Sequence, residues 1–176
     1  MNRARGFTLV ELLIVIVIIT LLAVLTTVNL RGSQANARDT ERKNDVANIV
    51  RGLEGYYVNS ANNARYPSTS LTSTSQTDDF ISDALRDIDI KSLRAPGQST
   101  RSLISATNAI ETTTGVQAVN PATGLPASPT IDTYVYQPLQ PNNTLCTSAA
   151  QECRRFNLFY RLESDLTIYK IMSKYQ

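Results

Sequence analysis

Histidine and tryptophan are absent from this sequence of 176 residues, and only two cysteines occur. Histidine is the side chain that most often acts as a general base near neutral pH and that most often binds metals. Two cysteines without a histidine supply too few ligands for a zinc site. The sequence also lacks a recognisable nucleophile–base set and a glycine-rich phosphate-binding loop. These absences predict a protein that is not an enzyme and that holds no metal and no cofactor.

A strong excess of charge of either sign is also missing. Lysine and arginine number 17 against 15 aspartates and glutamates, so the formal net charge is +2. Nucleic-acid-binding domains, in contrast, carry a clearly basic face. Arg154 and Arg155 are adjacent and could meet two phosphates, but a two-residue patch is common on any protein surface. Direct binding of nucleic acid is therefore not expected of this chain.

One long apolar run is present, from Phe7 to Leu30, and it contains no glycine, proline or lysine. Its 24 residues are enough to span a bilayer as a helix. Arg3 and Arg5 precede it, which predicts that the N-terminus stays in the cytoplasm and the rest of the chain lies outside. Glu11 is the only charge in the run, and a carboxylate inside a membrane segment is costly and usually functional. A plain anchor or a secretory signal peptide leaves Glu11 unexplained, and no small-residue cleavage site follows the run.

The motif Gly6-Phe7-Thr8-Leu9-Val10-Glu11, with the apolar run behind it, resembles the processing site of type IV pilins and the related pseudopilins. Residues 37–45, and the stretch from Tyr56-Tyr57 to Tyr66-Pro67, are similar to the second half of the pilin helix and the turn that ends it. The resemblance covers roughly the first 67 residues. Many bacterial pilins carry a glycine and a proline inside the apolar helix, and this chain has neither there. Whether the helix melts locally on assembly therefore stays open.

The resemblance implies that a prepilin peptidase cleaves the chain after Gly6 and that the new terminus, Phe7, is N-methylated. It also implies that Phe7 and Glu11 act in assembly, with the carboxylate of Glu11 reaching the Phe7 amine of a neighbouring subunit. The expected partners are other pilin subunits in a homopolymer, the prepilin peptidase, the pilus assembly platform and minor pilins. Before assembly the chain would sit in the cytoplasmic membrane, and afterwards in an extracellular surface filament.

Residues 31–59 are predicted to continue the helix as its amphipathic half. Apolar side chains recur there at helical spacing and form one face: Val46, Ile49, Val50, Leu53 and Tyr57. The charged run 38–45 is interpreted as a solvated face, where Asp39 and Lys43 have the spacing of a surface ion pair. Gly52 and Gly55 would lie opposite the apolar face. They would either loosen the end of the helix or let a neighbouring subunit come close, and both interpretations stay open.

The middle of the chain is predicted to be rich in loops, with one short helix between Asp78 and Ile88. The segment 99–110 is ambiguous, and a short helix is one interpretation. Acidic residues in this region could suggest Ca²⁺, which the major pseudopilins of type II secretion bind: Asp78, Asp79, Asp83, Asp87 and Asp89. Their spacing does not match an EF-hand loop, and helix capping accounts for the first two, so no metal site is predicted.

The C-terminal part is predicted to form three antiparallel strands, at residues 133–136, 156–163 and 166–172. Cys146 and Cys153 precede the second strand. Because the predicted topology places them outside the cytoplasm, where disulfides persist, a disulfide is favoured over two free buried thiols. The triplet Asn142-Asn143-Thr144 fits an N-glycosylation acceptor, but such triplets often arise by chance.

Together these patterns predict an α+β protein of the type IV pilin fold, in which one long N-terminal helix packs on a small C-terminal antiparallel sheet. The predicted organisation has four parts: a cleaved leader 1–6, a transmembrane and filament-core helix 7–30, an amphipathic half 31–59, and a globular head 60–176. The head divides into a loop-rich region 60–130 and a sheet with the disulfide loop at 131–176. The favoured function is a structural subunit of a type IV pilus. The alternatives are a pseudopilin of a secretion or DNA-uptake machine, and a membrane-anchored binding domain.

Overall fold

The computed structural model describes residues 7–59, 63–72, 77, 81, 84–85, 88–109, 118–119, 126–127 and 129–175. The side chains of residues 25–31 lie outside this description, as do those of 118–119 and 126–127. The chain divides into two compact units, Met1–Ala37 and Arg38–Gln176. We call the second of these the second unit.

One long helix, α1, runs from Leu9 to Val58 and therefore ends within a residue of the predicted boundary. In its second-unit part the predicted apolar face is confirmed, since Val46, Ile49 and Leu53 are fully buried. The chain after the helix turns sharply at Asn63 and Ala64, whose φ angles of 51° and 54° lie in the left-handed region. Such angles are uncommon and costly for residues other than glycine. Contacts with the surrounding structure therefore have to hold this turn in place.

A four-stranded sheet forms the second layer of the second unit. Its strands, in the order in which they lie side by side, are β1 (Leu103–Ser105), β4 (Tyr134–Leu139), β5 (Arg155–Arg161) and β6 (Ile168–Met172). The last three pair antiparallel, as predicted, with Val135 opposite Phe159 and Phe159 opposite Lys170. The sheet is nevertheless mixed, because β1 pairs parallel with β4. The α+β class and the packing of helix on sheet are confirmed.

Two parts of the predicted middle region are corrected by this topology. The segment 99–110, for which a short helix was one interpretation, contains strand β1. Its alignment depends on Tyr134, whose main-chain N–H donates to Ser102 O at 2.9 Å, so a distant strand decides the conformation. A second, two-stranded antiparallel sheet joins β2 (Ala118–Val119) and β3 (Pro126–Ala127) in a stretch predicted to be loop. Strands of two or three residues are too short to show a period in the sequence.

The core lies between α1 and one face of the sheet. Alternate residues of β4 and β5 point into it, as the strand period of two requires; with the helix they form one cluster that includes Val46, Ile49, Leu53, Tyr134, Tyr136, Phe156, Leu158 and Tyr160. Residues on the opposite sheet face form a smaller cluster of Ile104, Ala106, Val135 and Phe159. The short helix predicted after Asp78 shows helical hydrogen bonds from Ile81 N to Thr77 O and from Leu85 N to Ile81 O.

Gly52 lies under that segment of its own chain. A Cβ atom at Gly52 would approach the Cβ of Leu85 to 3.3 Å and that of Ile88 to 3.7 Å, whereas one at Gly55 would meet nothing within 4 Å. Gly52 therefore serves a close intramolecular approach, which neither interpretation from the sequence included. The contact joins α1 to a segment about thirty residues later, so the helical spacing could not reveal it.

The predicted membrane segment 7–30 includes residues whose side chains lie outside the description. Over the residues that are described, no helix combines the length and apolar character needed to cross a bilayer.

Candidate functional site

The first turn of α1 is closed by a reciprocal pair of hydrogen bonds between Thr8 and Glu11. The main-chain N–H and the hydroxyl of Thr8 each donate to Oε2 of Glu11 at 2.9 Å. In return, the N–H of Glu11 donates to Oγ1 of Thr8 at 3.2 Å. This is the capping box of a helix N-terminus, which satisfies donors that the helix itself leaves unpaired. The Thr-x-x-Glu spacing was readable in the sequence, but Glu11 was considered there only for assembly.

The apolar side chains behind this cap are all exposed in the single chain. Over residues 7–24 the exposed fraction of the large apolar side chains runs from 48% at Val15 and Val17 to 85% at Phe7. They occur on every side of the helix, so a single covered stripe does not account for them. An apolar surface of this extent marks contact with a membrane or with other proteins. In this segment Glu11 is the one described side chain with a charge.

The residues predicted for processing differ in what the structure says of them. Gly6 lies outside the described residues. Phe7 lies directly before the Thr8 cap and is the most exposed large apolar residue in the described part of the chain. Cleavage after Gly6, methylation of Phe7 and the assembly role of Glu11 therefore stay predictions.

Three side chains of the charged run of α1 are buried where the sequence suggested a solvated face, whereas Glu41 and Lys43 are exposed as expected. Asp39, Arg42 and Asp45 are 3%, 1% and 8% exposed. Arg42 Nη1 donates to Asp39 Oδ1 at 2.8 Å, and Arg42 Nε donates to Ile131 O at 2.9 Å. The interpretation as a solvated face is wrong for these three residues. Apart from the pairing of Arg42 with Asp39, their partners lie more than eighty positions away, which helical spacing could not indicate.

Glu163, in the turn two residues after β5, completes this network from the sheet side. The guanidinium of Arg38 binds it in a fork, with Nε to Oε2 at 2.8 Å and Nη2 to Oε1 at 2.6 Å. The main-chain N–H groups of Glu163 and Ser164 donate to the two oxygens of Asp39 at 2.8 and 2.9 Å. The network thus joins α1 to the turn between β5 and β6 through main-chain hydrogen bonds as well as through ion pairs.

These contacts set the protonation of both carboxylates. Burial alone would raise the pKa of Asp39, but the hydrogen bonds from Glu163, Ser164 and Arg42 outweigh it and hold the pKa at about 2. The fork from Arg38 lowers the pKa of Glu163. Both groups are therefore ionised at neutral pH, and the network carries two acids against two arginines.

Two further acids of α1 accept hydrogen bonds from buried tyrosines. Tyr134 donates to Asp45 at 3.1 Å, and Tyr66 donates to Glu54 at 2.8 Å. Burial raises the pKa of Asp45 to about 6, and the nearby acids Glu41 and Asp89 also raise it. The hydrogen bond from Tyr134 and the charge of Arg42 act to lower it. Glu54 also accepts the main-chain N–H of Lys174 at 2.8 Å, so this carboxylate joins α1 to the C-terminal segment of the chain.

Cys146 and Cys153 form a disulfide with a Cα–Cα distance of 5.7 Å. The loop that they close is attached at both cysteines to the segment after α1. Tyr66 N donates to Cys153 O at 2.7 Å, and Thr69 N donates to Cys146 O at 2.9 Å. The disulfide loop and the segment 66–69 therefore support each other.

The remaining candidate ligand groups have structural partners or lie outside the description. Asp89 accepts the N–H of Lys91 and caps a short 3₁₀ turn, Ile90–Leu93; Asp78, Asp79, Asp83 and Asp87 are outside the described residues. Among the residues that are described, no three potential metal ligands come together. Arg154 donates to Ala64 O and Arg155 to Pro141 O, so both arginines hold loops. Asn142 accepts from the N–H and hydroxyl of Thr144 in an exposed turn.

Comparison with known proteins matches the N-terminal region. The model of the prokaryotic N-terminal methylation motif matches residues 1–27. Type II secretion system core protein G of Pectobacterium carotovorum subsp. carotovorum is 40% identical over 67 residues, which are 38% of this chain and 41% of that protein. The protein of that name from Klebsiella pneumoniae is 39% identical over 69 residues, covering 39% of this chain and 47% of the relative. The one from Escherichia coli (strain K12) is 36% identical over 69 residues, covering 39% and 46%.

The chain thus matches less than half the length of these relatives. No solved structure matches it. The resemblance read from residues 6–11 is confirmed, because the methylation motif and the named relatives both match the N-terminal region of this chain. Pilins and pseudopilins, which that resemblance indicates, are structural proteins.

Proposed function

We propose that this protein is a pseudopilin, a structural subunit that polymerises through its N-terminal helix in a secretion machine of type II kind. The observation that carries the proposal is the match to the methylation motif, together with a helical segment, residues 7–24, that is apolar on every side and in which Glu11 is the one charged side chain. A surface of this kind is stable only when a bilayer or other subunits cover it. The sequence favoured a pilus subunit, but the names of the relatives favour the alternative that it left open.

In this proposal the chain is first a membrane-anchored precursor with its N-terminus inside. A prepilin peptidase cleaves after Gly6, and the amine of Phe7 is then methylated, which keeps it basic. Removing the leader also removes Arg3 and Arg5, which would otherwise be carried into an apolar bundle at high cost. The partners are other pseudopilin subunits and the assembly platform.

Glu11 has a separate role before and during assembly. In the single chain its carboxylate accepts two hydrogen bonds from Thr8, both from neutral donors. A neighbouring subunit that is displaced along the axis offers a cation instead, the amine of its Phe7. A cationic donor adds the attraction between two opposite full charges to the hydrogen bond, which the neutral donors of Thr8 do not supply. Replacing the Thr8 donors by this amine favours one axial position of a subunit relative to its neighbour. The apolar side chains alone do not define that position, because successive layers of Leu and Ile resemble each other.

The cap and the charge are separable by substitution. Glu11→Gln keeps an acceptor for the capping box, which accommodates glutamine, but it cannot pair with a cation. Thr8→Val removes the cap and keeps the carboxylate. We expect Glu11→Gln to be inserted, cleaved and folded but to assemble poorly, and Thr8→Val to assemble. Leader removal and crosslinked oligomers would be measured in the same cells. Normal assembly of Glu11→Gln, or loss of cleavage as its sole defect, would refute the assembly role.

A second experiment distinguishes the pseudopilin from a pilus subunit. Cells lacking the gene should lose export of folded proteins to the medium, and wild-type cells should show no long surface filaments of this chain. Electron microscopy and mass spectrometry of sheared surface material would check the latter. Abundant filaments with this chain as the main component would restore the pilus function. A major species retaining Arg3 and Arg5 would favour a membrane-anchored binding domain.

A further inference from the structure

We propose that Asn142 is an N-linked glycosylation site, at which the side-chain nitrogen receives an oligosaccharide from a polyprenyl-diphosphate carrier. The proposal requires that the second unit lies outside the cytoplasm, as the sequence predicts. It applies equally to a pilus subunit and to a pseudopilin, so it does not depend on the choice between them.

The acceptor triplet Asn142-Asn143-Thr144 lies on the surface of the second unit. It is the one place in the sequence where an asparagine is followed two positions later by serine or threonine. This spacing is the acceptor signal for N-glycosylation, and the structural context that supports it is a surface loop of an exported protein. All three residues are exposed. They belong to the connection that leaves β4 at Leu139 and leads into the disulfide at Cys146.

Hydrogen bonds within this turn bring the hydroxyl of Thr144 onto the carboxamide of Asn142. Oδ1 of Asn142 accepts the main-chain N–H of Thr144 at 3.1 Å and its hydroxyl at 2.7 Å. The hydroxyl oxygen itself accepts Nε2 of Gln140 at 2.9 Å, so its hydrogen is directed at Asn142. Both contacts fall on the carboxamide oxygen, and Nδ2 of Asn142 donates to no other residue in the described part of the chain.

This arrangement makes Nδ2 easier to activate. An amide nitrogen is a weak nucleophile because its lone pair is delocalised onto the carbonyl oxygen. Hydrogen bonds to that oxygen draw electron density away from the N–H groups and favour the loss of a proton, which activation of a nucleophile requires. The contact needs a hydroxyl two positions after the asparagine, and Thr144 supplies it.

The reaction is a group transfer without oxidation or reduction. Nδ2 of Asn142 attacks C1 of the first sugar of a polyprenyl-diphosphate-linked oligosaccharide. The Nδ2–C1 bond forms while the bond from C1 to the diphosphate oxygen breaks, and polyprenyl diphosphate leaves with the electron pair. The amide proton passes to a base of the membrane-bound transferase, which the cell supplies together with the carrier.

The turn holds its shape before it meets a transferase. Gln140 N donates to Thr144 O at 2.9 Å, and Arg155 Nη2 donates to Pro141 O at 2.9 Å. Asn143 has a φ angle of 65°, in the left-handed region that asparagine tolerates better than most residues. An acceptor that is already ordered avoids part of the entropy cost of binding. Because the triplet is exposed, a sugar on Nδ2 displaces no buried side chain.

The test is peptide mapping by mass spectrometry, without reduction, of the full chain purified from the membranes of its own cells. We expect the peptide that contains Asn142 to carry an oligosaccharide, which electron-transfer fragmentation places on that residue. An unmodified Asn142 would overturn the proposal. A bond between Cys146 and Cys153 in the same map shows that failed export is not the reason.

Variants of the triplet separate this site from any other. Asn142→Gln and Thr144→Ala should lose the sugar, whereas Thr144→Ser should keep it because its hydroxyl makes the same contact. Asn143→Gly is the matched control, since glycine accepts the positive φ angle and leaves the acceptor spacing intact, and it should keep the sugar. Sugar retained in Asn142→Gln or Thr144→Ala would overturn the assignment. Leader removal is measured in the same samples, so a missing sugar leaves the pseudopilin proposal standing.

Discussion

The main-chain N–H of Glu163 donates a 2.8 Å hydrogen bond to the carboxylate of Asp39, although 124 positions separate the two residues in the chain. The same carboxylate accepts Ser164 N and the buried guanidinium of Arg42. One acid on α1 therefore fixes where the β5–β6 turn meets the helix. Removing one member of such a buried network leaves the remaining charged groups buried without a partner.

Asp39→Asn should destabilise the second unit by about 3–5 kcal/mol, because one amide oxygen cannot replace two carboxylate oxygens and Arg42 loses its buried anion. The free energy of unfolding is measured by urea denaturation with tyrosine fluorescence. Glu41→Gln is the matched control, since it neutralises an exposed acid two positions away on the same helix. It should change stability by no more than about 0.5 kcal/mol. Equal midpoints for the two variants would contradict the role of Asp39.

Stability should fall as the pH drops from about 4 to about 2. The pKa of Asp39 is about 2 in the folded protein, below its ordinary value of 3.8, so the folded state prefers the ionised form. That contribution is complete above the unfolded pKa and is lost as the pH falls through the folded one, amounting to about 2 kcal/mol. Asp39→Asn should flatten this part of the profile. A wild-type free energy of unfolding that does not change with pH below pH 4 would refute this contribution of Asp39.

Asp45 should act with the opposite sign between about pH 4 and pH 6. Burial raises the pKa of Asp45 to about 6, so the folded state prefers the protonated form. This contribution is present below the unfolded pKa and is lost as the pH rises to about 6. Asp45→Asn keeps an acceptor for Tyr134 and does not titrate. Its stability relative to the wild type should increase by about 2 kcal/mol from pH 4 to pH 7, and a constant difference would count against the assignment.

Reduction of the disulfide between Cys146 and Cys153 should cost about 2 kcal/mol, the low end expected for a small loop. The effect should also reach the segment after α1. Hydrogen exchange at the amides of Tyr66 and Thr69, which donate to the two cysteines, should accelerate together on reduction. Amides in β5, such as Phe159, serve as the control. Peptide mapping without reduction that finds both thiols open to alkylation would contradict the disulfide itself.

Gly52 and Gly55 form a matched pair for substitution by alanine. At Gly55 the space is open, so alanine should stabilise the helix by up to about 1 kcal/mol. At Gly52 the same gain is offset, because the new Cβ would lie 3.3 Å from the Cβ of Leu85. We therefore expect Gly55→Ala to raise the melting temperature and Gly52→Ala to raise it less or to lower it. Equal shifts in melting temperature would show that Leu85 moves away from the new Cβ without loss of stability.

The sequence alone determined what depends on local or repeating patterns. The motif at residues 6–11 indicated the class, and helical spacing from Val46 to Leu53 predicted the buried face of α1 and its end near residue 59. Alternation in β4 to β6 predicted three antiparallel strands. Each of these signals is carried by neighbours along the chain, so no tertiary contact is needed to read it. The capping box of Thr8 and Glu11 was readable in the same way.

The tertiary structure alone decided which charges are buried and which strands meet. Nothing near Asp39 in the sequence specifies Glu163 or Ser164, and the same helical spacing fits a solvated face equally well. Strand β1 is three residues long and exists because Tyr134 and Tyr136 pair with it. Gly52 matters because Leu85 lies over it. Burial and long-range pairing depend on which distant segments pack together when the chain folds. A local sequence pattern carries no information about that.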